Sequence, residues 1–307
     1  MEGKVVFCFE GMNSSIGKLI SKLDEKQKEK LYTLCEEAKE FMGIDFLENL
    51  KHRKEDGSDL EVVFAEMVIS YICDYIIFDT YIQNGIKPDI LVGYSLGVNT
   101  ALVCAGYLSF LGGIEILKST IKCIEYSFNN LKEDMALIVG LPKNYLEEII
   151  IKNGWSNFVS IASENSEVSL LITGEKEYVD YMMEASTNEG ALKAIKLNTL
   201  IAFHNGKKDW MEECIKGMDD LVIFKGNRKV LSVYSLDIIK DDENLVREEL
   251  KKNVYTPMKW REAIESLENQ GYNQFWDVSL DGNVKKISTL TKPDSVFYSY
   301  KTFLKNC

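Results

Sequence analysis

The sequence is short of several residues and patterns that whole classes of protein require. Its 307 residues include two histidines and four prolines, and its seven cysteines form no Cys-x-x-Cys pair. An odd number of thiols, most of them in apolar stretches, favours buried cysteines over disulfides or a zinc site. We therefore expect no bound metal and no redox cofactor.

Basic charge and long apolar runs are also scarce. The formal net charge is -12, and we expect no nucleic-acid partner because a phosphate backbone requires a basic surface. The longest apolar stretch, "EMVISYICDYIIFDTYI", is interrupted by Asp74 and Asp79. It predicts a buried helix and not a membrane span. The N-terminal segment has no basic leader followed by an apolar run and a small-residue cleavage site, which predicts a cytoplasmic protein.

What the sequence does contain is an alternation of strand and helix patterns. The apolar run "KVVFCF" predicts a first buried strand and "DILV" a second, while residues 24–42, 60–85, 96–107 and 112–131 carry helical spacing. After residue 200 the strands "KVLSVYS" and "QFWDVS" alternate with helical patterns through residues 243–270. This alternation is typical of an α/β fold.

Residues 133–199 have a different texture, in the order β-α-β-β-α-β. That order is typical of a ferredoxin-like unit. We therefore predict a small ferredoxin-like subdomain over residues 133–199. It is inserted into a large, α/β-hydrolase-like domain made of residues 1–132 and 200–307.

The stretch "PDILVGYSLGVNTALVCAG" places a serine between two glycines at a strand-to-helix junction. Gly93-Tyr94-Ser95-Leu96-Gly97 fits the Gly-x-Ser-x-Gly pattern of a nucleophile elbow, in which a sharp turn exposes the serine hydroxyl. An ordinary strand-to-helix turn is the alternative. The apolar strand before the motif and the small helix-forming residues after it favour the elbow, with Ser95 as a nucleophile.

A serine nucleophile needs a base, and histidine is the usual one at neutral pH. His52 lies in the charged segment "NLKHRKEDGSD", which is typical of an exposed connection. His204 follows an apolar run in "NTLIAFHNGKKDW". A structural histidine is possible at that position, but with only two candidates His204 is the predicted base.

Four segments of the chain, which include the Ser95 and His204 motifs, resemble segments that occur in the same order in the malonyl-CoA:acyl carrier protein transacylases and the acyltransferases of polyketide synthesis. "FCFEGMNSS" is similar to that family's Phe-x-Gly-Gln-Gly-Ser-Gln segment, and "GYSLG" to its Gly-His-Ser-x-Gly elbow. "IAFHN" resembles its Ala-Phe-His-Ser segment, and "NVYTPMKW" its Asn/Gln-x-x-x-Pro-Val-x-Trp segment. The resemblance extends over nearly the whole chain.

The resemblance implies a role for each matching residue. Ser95 would be acylated by a thioester, with His204 as general base and acid. Asn253 would hold the imidazole in one tautomer through its backbone carbonyl. The backbone N–H groups of Met12 and Leu96 would stabilise the tetrahedral oxyanion, a task that survives a change of side chain. The implied acyl pocket is formed by Tyr94, Tyr126, Ser127 and Phe203.

One departure from the family concerns the acyl group. Malonyl-specific members carry an arginine in the helix after the elbow, where alignment places Ser127 or Tyr126, and no arginine occurs between Arg53 and Arg228. A buried malonyl carboxylate without a partner costs several kcal/mol. We therefore expect either an uncharged acyl group, such as acetyl or a longer simple chain, or a carboxylate that is bound in some other way.

Three functions remain open from the sequence. The first is an acyltransferase that moves an acyl group, other than malonyl, from a coenzyme A (CoA) or carrier-protein thioester to the phosphopantetheine of an acyl carrier protein, in polyketide or fatty acid synthesis. The second is an acyl-thioester hydrolase of the same fold, and the third a non-catalytic protein that binds a synthase. The expected partners are an acyl carrier protein and acyl-CoA, and a CoA or phosphopantetheine thioester is the expected substrate. No bound cofactor and no membrane partner are expected.

Overall fold

The larger of two β-sheets is parallel. The computed structural model describes residues 3–52, 59–197, 199–207, 211, 215–239, 241–288 and 296–305. Within these residues the strands of the larger sheet are β1 (Lys4–Phe9), β2 (Ile90–Gly93), β7 (Val230–Leu231), β8 (Tyr272–Val278) and β9 (Val296–Tyr298). These five strands lie in the order β7-β2-β1-β8-β9. All neighbouring pairs run parallel, as the α/β class predicts, and that class is confirmed.

The smaller sheet is antiparallel and lies between β2 and β7 in the chain. Its strands are β3 (Glu133–Val139), β4 (Val159–Ser166), β5 (Ser169–Glu175) and β6 (Lys193–Lys196). They occur in the spatial order β4-β5-β3-β6. Two helices connect them, so that the segment runs β-α-β-β-α-β. Leu171 and Met135 of this sheet belong to the main core, while a second apolar cluster surrounds Leu146 and Met182.

The helices connect and cover the two sheets. Their bounds are α1 (Ile16–Leu19), α2 (Glu25–Met42), α3 (Phe46–Asn49), α4 (Leu60–Gln83), α5 (Leu96–Cys104), α6 (Phe110–Asn130), α7 (Lys143–Lys152), α8 (Lys176–Asn188), α9 (Glu243–Tyr255), α10 (Trp260–Asn269), α11 (Asn283–Ser288) and α12 (Tyr300–Leu304). Short 3₁₀ turns cover Ile20–Lys22, Leu50–His52 and Lys216–Met218.

The apolar stretch around Asp74 is a buried helix, as predicted. It forms most of α4, which is buried on nearly every side and packs against α2, α5 and α6. No helix in the described part of the chain is long and apolar enough to cross a membrane. Five of the cysteines are free, buried thiols, as expected, namely Cys8, Cys35, Cys73, Cys104 and Cys123, while Cys214 and Cys307 lie outside the described residues.

One predicted strand is much shorter than its apolar pattern. Of the segment "KVLSVYS", only Val230–Leu231 pairs with β2. The Ser232 hydroxyl accepts hydrogen bonds from the backbone N–H groups of Tyr234 and Ser235, both at 3.1 Å. Such local side-chain bonds turn the backbone away from a ladder, so the strand ends where the serine begins.

The parallel register brings two loops to one edge of the larger sheet. Phe9 at the end of β1 pairs with Gly93 at the end of β2. The loop that begins at Glu10 and the turn that contains Ser95 therefore leave the sheet side by side. The carboxyl edge of a parallel sheet is where α/β proteins place their ligand sites.

Candidate active site

Ser95 occupies a strained turn between β2 and α5. Its backbone has φ 53° and ψ -118°, a region that a residue with a side chain rarely adopts and that costs about 1–3 kcal/mol. The close packing around the two flanking residues explains why the motif has glycine at both positions. A Cβ on Gly93 would lie 2.2 Å from the backbone nitrogen of Val98, and one on Gly97 would lie 2.4 Å from the carbonyl oxygen of Phe9. Neither position has room for a side chain.

The structure brings His204 to Ser95 from 109 residues further along the chain. The Ser95 Oγ and His204 Nε2 atoms are 3.0 Å apart. His204 is 1 % exposed, and its own backbone N–H donates to the Val254 carbonyl at 3.0 Å. The other histidine, His52, is exposed and pairs with Glu48. The predicted pairing of Ser95 with His204 thus matches the geometry.

The hydrogen bonds of the imidazole define its tautomer. Nδ1 lies 3.1 Å from the carbonyl oxygen of Thr256, and a carbonyl can only accept, so Nδ1 carries the proton. Nε2 is then left with a lone pair directed at the Ser95 hydroxyl. Burial lowers the pKa of His204 to about 4, and the hydrogen bond to Thr256 acts in the opposite direction. The imidazole is consequently neutral at pH 7 and able to accept a proton.

The expected role of Asn253 is corrected here, because the carbonyl that holds the imidazole belongs to Thr256. Asn253 lies inside the last turns of α9, whereas Thr256 caps that helix with an extended backbone, φ -83° and ψ 131°. An extended cap turns its carbonyl away from the helix axis and toward the histidine. The side chain of Asn253 faces a cavity and contacts Asn99 and Tyr234.

A cavity of about 160 Å³ opens beside the Ser95 hydroxyl. Met12 and Leu96, the expected oxyanion residues, both line it. Its wall is mostly apolar, with Ser14, Asn99, Thr120 and Thr199 as further polar residues. The complete lining consists of Gly11, Met12, Ser14, Met67, Tyr94, Ser95, Leu96, Asn99, Thr120, Met135, Leu171, Leu197, Thr199, Phe203, Asn253 and Val254. Among the residues that the structure describes, no charged side chain lines this cavity.

Two of the four expected pocket residues line the cavity. Tyr94 does so, with its hydroxyl donating to Asn165 on β4 at 2.9 Å and its ring meeting the Trp260 ring edge-on at 5.2 Å. Burial raises the pKa of the Tyr94 phenol to about 12. Phe203 also lines the cavity, and its carbonyl accepts a hydrogen bond from Thr173 of β5 at 2.7 Å. Both residues therefore join the cavity to the smaller sheet.

The other two expected pocket residues, Tyr126 and Ser127, are corrected by the structure. Tyr126 is 43 % exposed, and Ser127 is buried against Glu133, to which its hydroxyl donates at 2.9 Å. The α6 residue at the cavity is Thr120. Ser127 follows Thr120 by seven residues, which is the same face of the helix but about 10 Å further along its axis. The alignment therefore indicated the correct face of α6, but a residue two turns further along the helix than Thr120.

Sequence reasoning missed Asn99 and Thr120, which line the cavity together with Met67 and Met135. For Asn99 a signal existed, since it lies four residues after Ser95 and helical residues at that spacing share a face. Met67 and Met135 come from α4 and the smaller sheet. Nothing in their local sequence indicates that they meet at Ser95.

The loop that carries Met12 begins at a residue with a buried carboxyl group, Glu10. Glu10 is 2 % exposed and accepts hydrogen bonds from Asn283 at 2.8 Å and from Asn13 at 3.3 Å. Burial, together with the nearby Asp281 and Asp277, raises the pKa of Glu10 to about 8.

The described residues contain no group of three or more His, Cys, Asp or Glu side chains arranged to hold a metal ion.

Known proteins resemble this chain along most of its length. The family model described as "Acyl transferase domain" matches residues 32–291. The malonyl CoA-acyl carrier protein transacylase of Buchnera aphidicola subsp. Schizaphis graminum is 26% identical over 264 residues, which cover 85% of this chain and 84% of the relative. The enzyme of the same description from Bacillus subtilis is 26% identical over 247 residues, covering 78% of each chain.

Solved structures share the fold. That of the malonyl CoA-acyl carrier protein transacylase of Coxiella burnetii has a TM-score of 0.84 at 21% identity, covering 99% of this chain and 96% of that one. A malonyl-transacylase in complex with a type II polyketide synthase acyl-carrier protein has a TM-score of 0.85 at 19% identity, covering 99% and 100%. The resemblance predicted from the four motifs is confirmed: the chain belongs to the acyl transferase domain family, that of the malonyl-CoA:acyl carrier protein transacylases.

Proposed function

We propose that this acyltransferase moves an uncharged acyl group from a CoA or carrier-protein thioester, through an ester on Ser95, to the phosphopantetheine thiol of an acyl carrier protein. The observation that carries the proposal is the 3.0 Å contact between Ser95 Oγ and His204 Nε2 at the mouth of a cavity with a neutral wall. The names of the two relatives described above, both malonyl CoA-acyl carrier protein transacylases, support the reaction and the two partners.

The first half of the reaction forms the acyl-enzyme. Nε2 of His204 takes the proton of the Ser95 hydroxyl as Oγ attacks the thioester carbonyl carbon. The N–H groups of Met12 and Leu96 then donate to the oxyanion, where the loss of one such donor typically costs about 3 kcal/mol. The carbon–sulfur bond breaks, and the departing thiolate takes the proton from Nε2.

The second half repeats these steps in reverse with a different thiol. His204 Nε2 takes the proton of the phosphopantetheine thiol, and the sulfur attacks the ester carbonyl carbon on Ser95. The carbon–oxygen bond breaks, and the Ser95 oxygen recovers its proton from the imidazole. The hydrogen bond from Nδ1–H to Thr256 keeps the ring in the same tautomer through both halves.

The character of the cavity wall supports an uncharged acyl group. Thr120 lines the cavity from α6, and the two lysines of that helix, Lys118 and Lys122, are exposed. Leaving a buried carboxylate without its partner costs about 3–5 kcal/mol, which is more than a hundredfold in affinity. The cavity of about 160 Å³ compares with the ~150 Å³ that accepts benzene in another protein, so a chain of about six carbons is the expected upper size.

The proposed domain organisation follows from the strand order. An insertion with the β4-β5-β3-β6 order and two connecting helices supports a ferredoxin-like subdomain at residues 133–199. The parallel sheet with an elbow at the end of β2 supports an α/β-hydrolase-like large domain of residues 1–132 and 200–307. In this organisation the cavity lies between the two domains, because residues of both, Leu171 and Met135 from one and Leu96 from the other, line it.

Intact-mass measurement of the acyl-enzyme tests the proposal. The protein is incubated separately with acetyl-CoA, hexanoyl-CoA and malonyl-CoA, and holo acyl carrier protein is then added. We expect acetyl or hexanoyl adducts on Ser95 that move to the carrier protein, and little malonyl adduct. Release of free acid without transfer would identify a hydrolase, and no adduct from any donor would leave a binding protein. Strong malonyl loading would refute the uncharged acyl group.

Two histidine variants test the assignment of the base, His204→Ala as the test and His52→Ala as its matched control. His204→Ala should form the adduct at least ~100-fold more slowly, since general-base catalysis by a positioned side chain typically increases the rate by a factor of about 10²–10⁴. His52→Ala removes the exposed histidine and should load at the wild-type rate. Ser95→Ala should form no adduct at all. Adduct formation that persists in Ser95→Ala would place the nucleophile elsewhere.

A further inference from the structure

The two members of the dyad depend on two helices that pack against each other. Ser95 is the residue immediately before α5, and its position follows that of the first turn of the helix. His204 is held from α9, whose Val254 carbonyl accepts its backbone N–H and whose capping residue Thr256 accepts its Nδ1–H. α5 and α9 are in contact. Any change in their separation therefore alters the distance between Oγ and Nε2.

A buried pair of amides spans the contact between these helices. Asn99 of α5 is 3 % exposed and Asn253 of α9 is 8 % exposed. The Nδ2 atom of Asn253 donates to Oδ1 of Asn99 at 3.2 Å. On the other side of Asn253, the Tyr234 hydroxyl donates to Oδ1 at 2.5 Å. The tyrosine therefore orients the Asn253 amide, so that its N–H faces α5.

The positions of the two asparagines along their helices relate this bridge to the dyad. Asn99 lies one helical turn after Ser95, and helical side chains lean back over the preceding turn. Asn253 lies one turn before Thr256, the residue whose carbonyl orients the imidazole. Each amide is thus a single turn away from the group that its helix supplies to the site.

We propose that Asn99 and Asn253 are positioning residues, and that their amide bridge sets the distance and alignment between the Ser95 hydroxyl and the His204 imidazole. This inference rests on the proposed function, because it assigns the bridge a role in activating Ser95. Two apolar side chains would also fill this space, but they would not hold the helices in one register. A hydrogen bond has a defined length and direction, and a buried amide that loses its partner destabilises the packing around it.

The test measures activation of the Ser95 nucleophile with a reagent that needs neither an acyl chain nor the carrier protein. Ser95 is allowed to react with a small serine-directed organophosphonate, and adduct formation is followed by intact mass. We expect Asn99→Leu and Asn253→Leu each to slow this reaction by about tenfold, since each leaves one amide unpaired. The double variant, in which no amide is left without its partner, should be slowed by clearly less than the product of the two single effects.

Two buried tyrosines provide a milder variant and its matched control. Tyr234→Phe keeps the ring and removes the hydroxyl that orients Asn253, so a slowing of about threefold is expected from the loss of one neutral hydrogen bond. Tyr107→Phe removes a hydroxyl that donates to the Ile239 carbonyl at 3.3 Å, outside the cavity lining. It should react at the wild-type rate. Melting temperatures of all variants separate loss of folding from loss of alignment.

The possible outcomes separate this inference from the proposed function. If wild-type Ser95 does not react at all, the proposed function fails and the bridge has no dyad to position. If wild type reacts and the two leucine variants react equally fast, the inference is wrong while the function stands. The same holds if the effects of Asn99→Leu and Asn253→Leu simply multiply. With acetyl-CoA as donor, the positioning role predicts a lower kcat with an unchanged KM, whereas a raised KM alone would identify the amides as acyl contacts.

Discussion

The carboxyl group of Glu10 should make the protein less stable as the pH rises. It is buried at the start of the loop that carries Met12, and burial, with help from Asp281 and Asp277, raises its pKa from 4.5 to about 8. Between these two values the folded protein keeps a proton that the unfolded chain has released. Stability therefore falls with increasing pH across this range. The stabilisation is complete below pH 4.5 and is lost by about pH 8.

The magnitude follows from the two pKa values. Each tenfold difference in proton affinity corresponds to ~1.4 kcal/mol, so the full range from 4.5 to about 8 corresponds to up to about 5 kcal/mol. Glu10→Gln has the same shape, keeps an acceptor for Asn283 and has no proton to lose. The difference in free energy of unfolding between Glu10→Gln and the wild type should therefore shift in favour of Glu10→Gln by a few kcal/mol between pH 5 and pH 8.5.

Urea unfolding at several pH values measures this effect. Glu147→Gln, at an exposed position of α7, serves as the control and should follow the wild-type curve. We expect the curves of Glu10→Gln and the wild type to diverge steadily above pH 5. Parallel curves for these two proteins would refute the reasoning, because they would show that Glu10 ionises equally easily in the folded and unfolded states.

Three further predictions concern the elbow, the base and the cavity. Gly97→Ala should lower the free energy of unfolding by at least ~2 kcal/mol in urea titrations, because its Cβ would lie 2.4 Å from a backbone carbonyl. Gly17→Ala, whose Cβ would have 3.8 Å to its nearest neighbour, should not. Acyl-enzyme formation should keep its rate from pH 7 down to pH 5, since the pKa of His204 is lowered to about 4; a profile with its midpoint near 6.5 would contradict this. Thr120→Arg should raise malonyl loading relative to acetyl loading at least ~tenfold, whereas Tyr126→Arg, at an exposed position, should leave the ratio unchanged.

The two corrections at the site have the same physical origin. The alignment through α6 indicated Ser127, and the observed cavity residue is Thr120, two turns earlier. The alignment through α9 indicated Asn253, and the observed acceptor is Thr256, at the helix cap. In both cases a helical repeat makes residues one or two turns apart look equivalent in sequence. Only the position of the neighbouring elements selects one turn among them.

Local chemistry explains why other expectations agreed with the structure. The buried helix α4 follows from a long apolar stretch with two acidic residues. The turn at Ser95 follows from Gly93 and Gly97, whose backbones approach other backbone atoms too closely for any side chain. His204 was identified because only one other histidine exists, and that one lies in a charged segment.

The sequence by itself determined the α/β class, the family, the elbow and the identity of the histidine, because each depends on residues close together in the chain or on a residue type that is rare. The tertiary structure decided the acceptor of the imidazole, the wall of the cavity and the amide bridge between α5 and α9. Those features join residues such as Asn99 and Asn253, which are 154 positions apart. Their distance depends on how helices and sheets pack, and no local pattern encodes that.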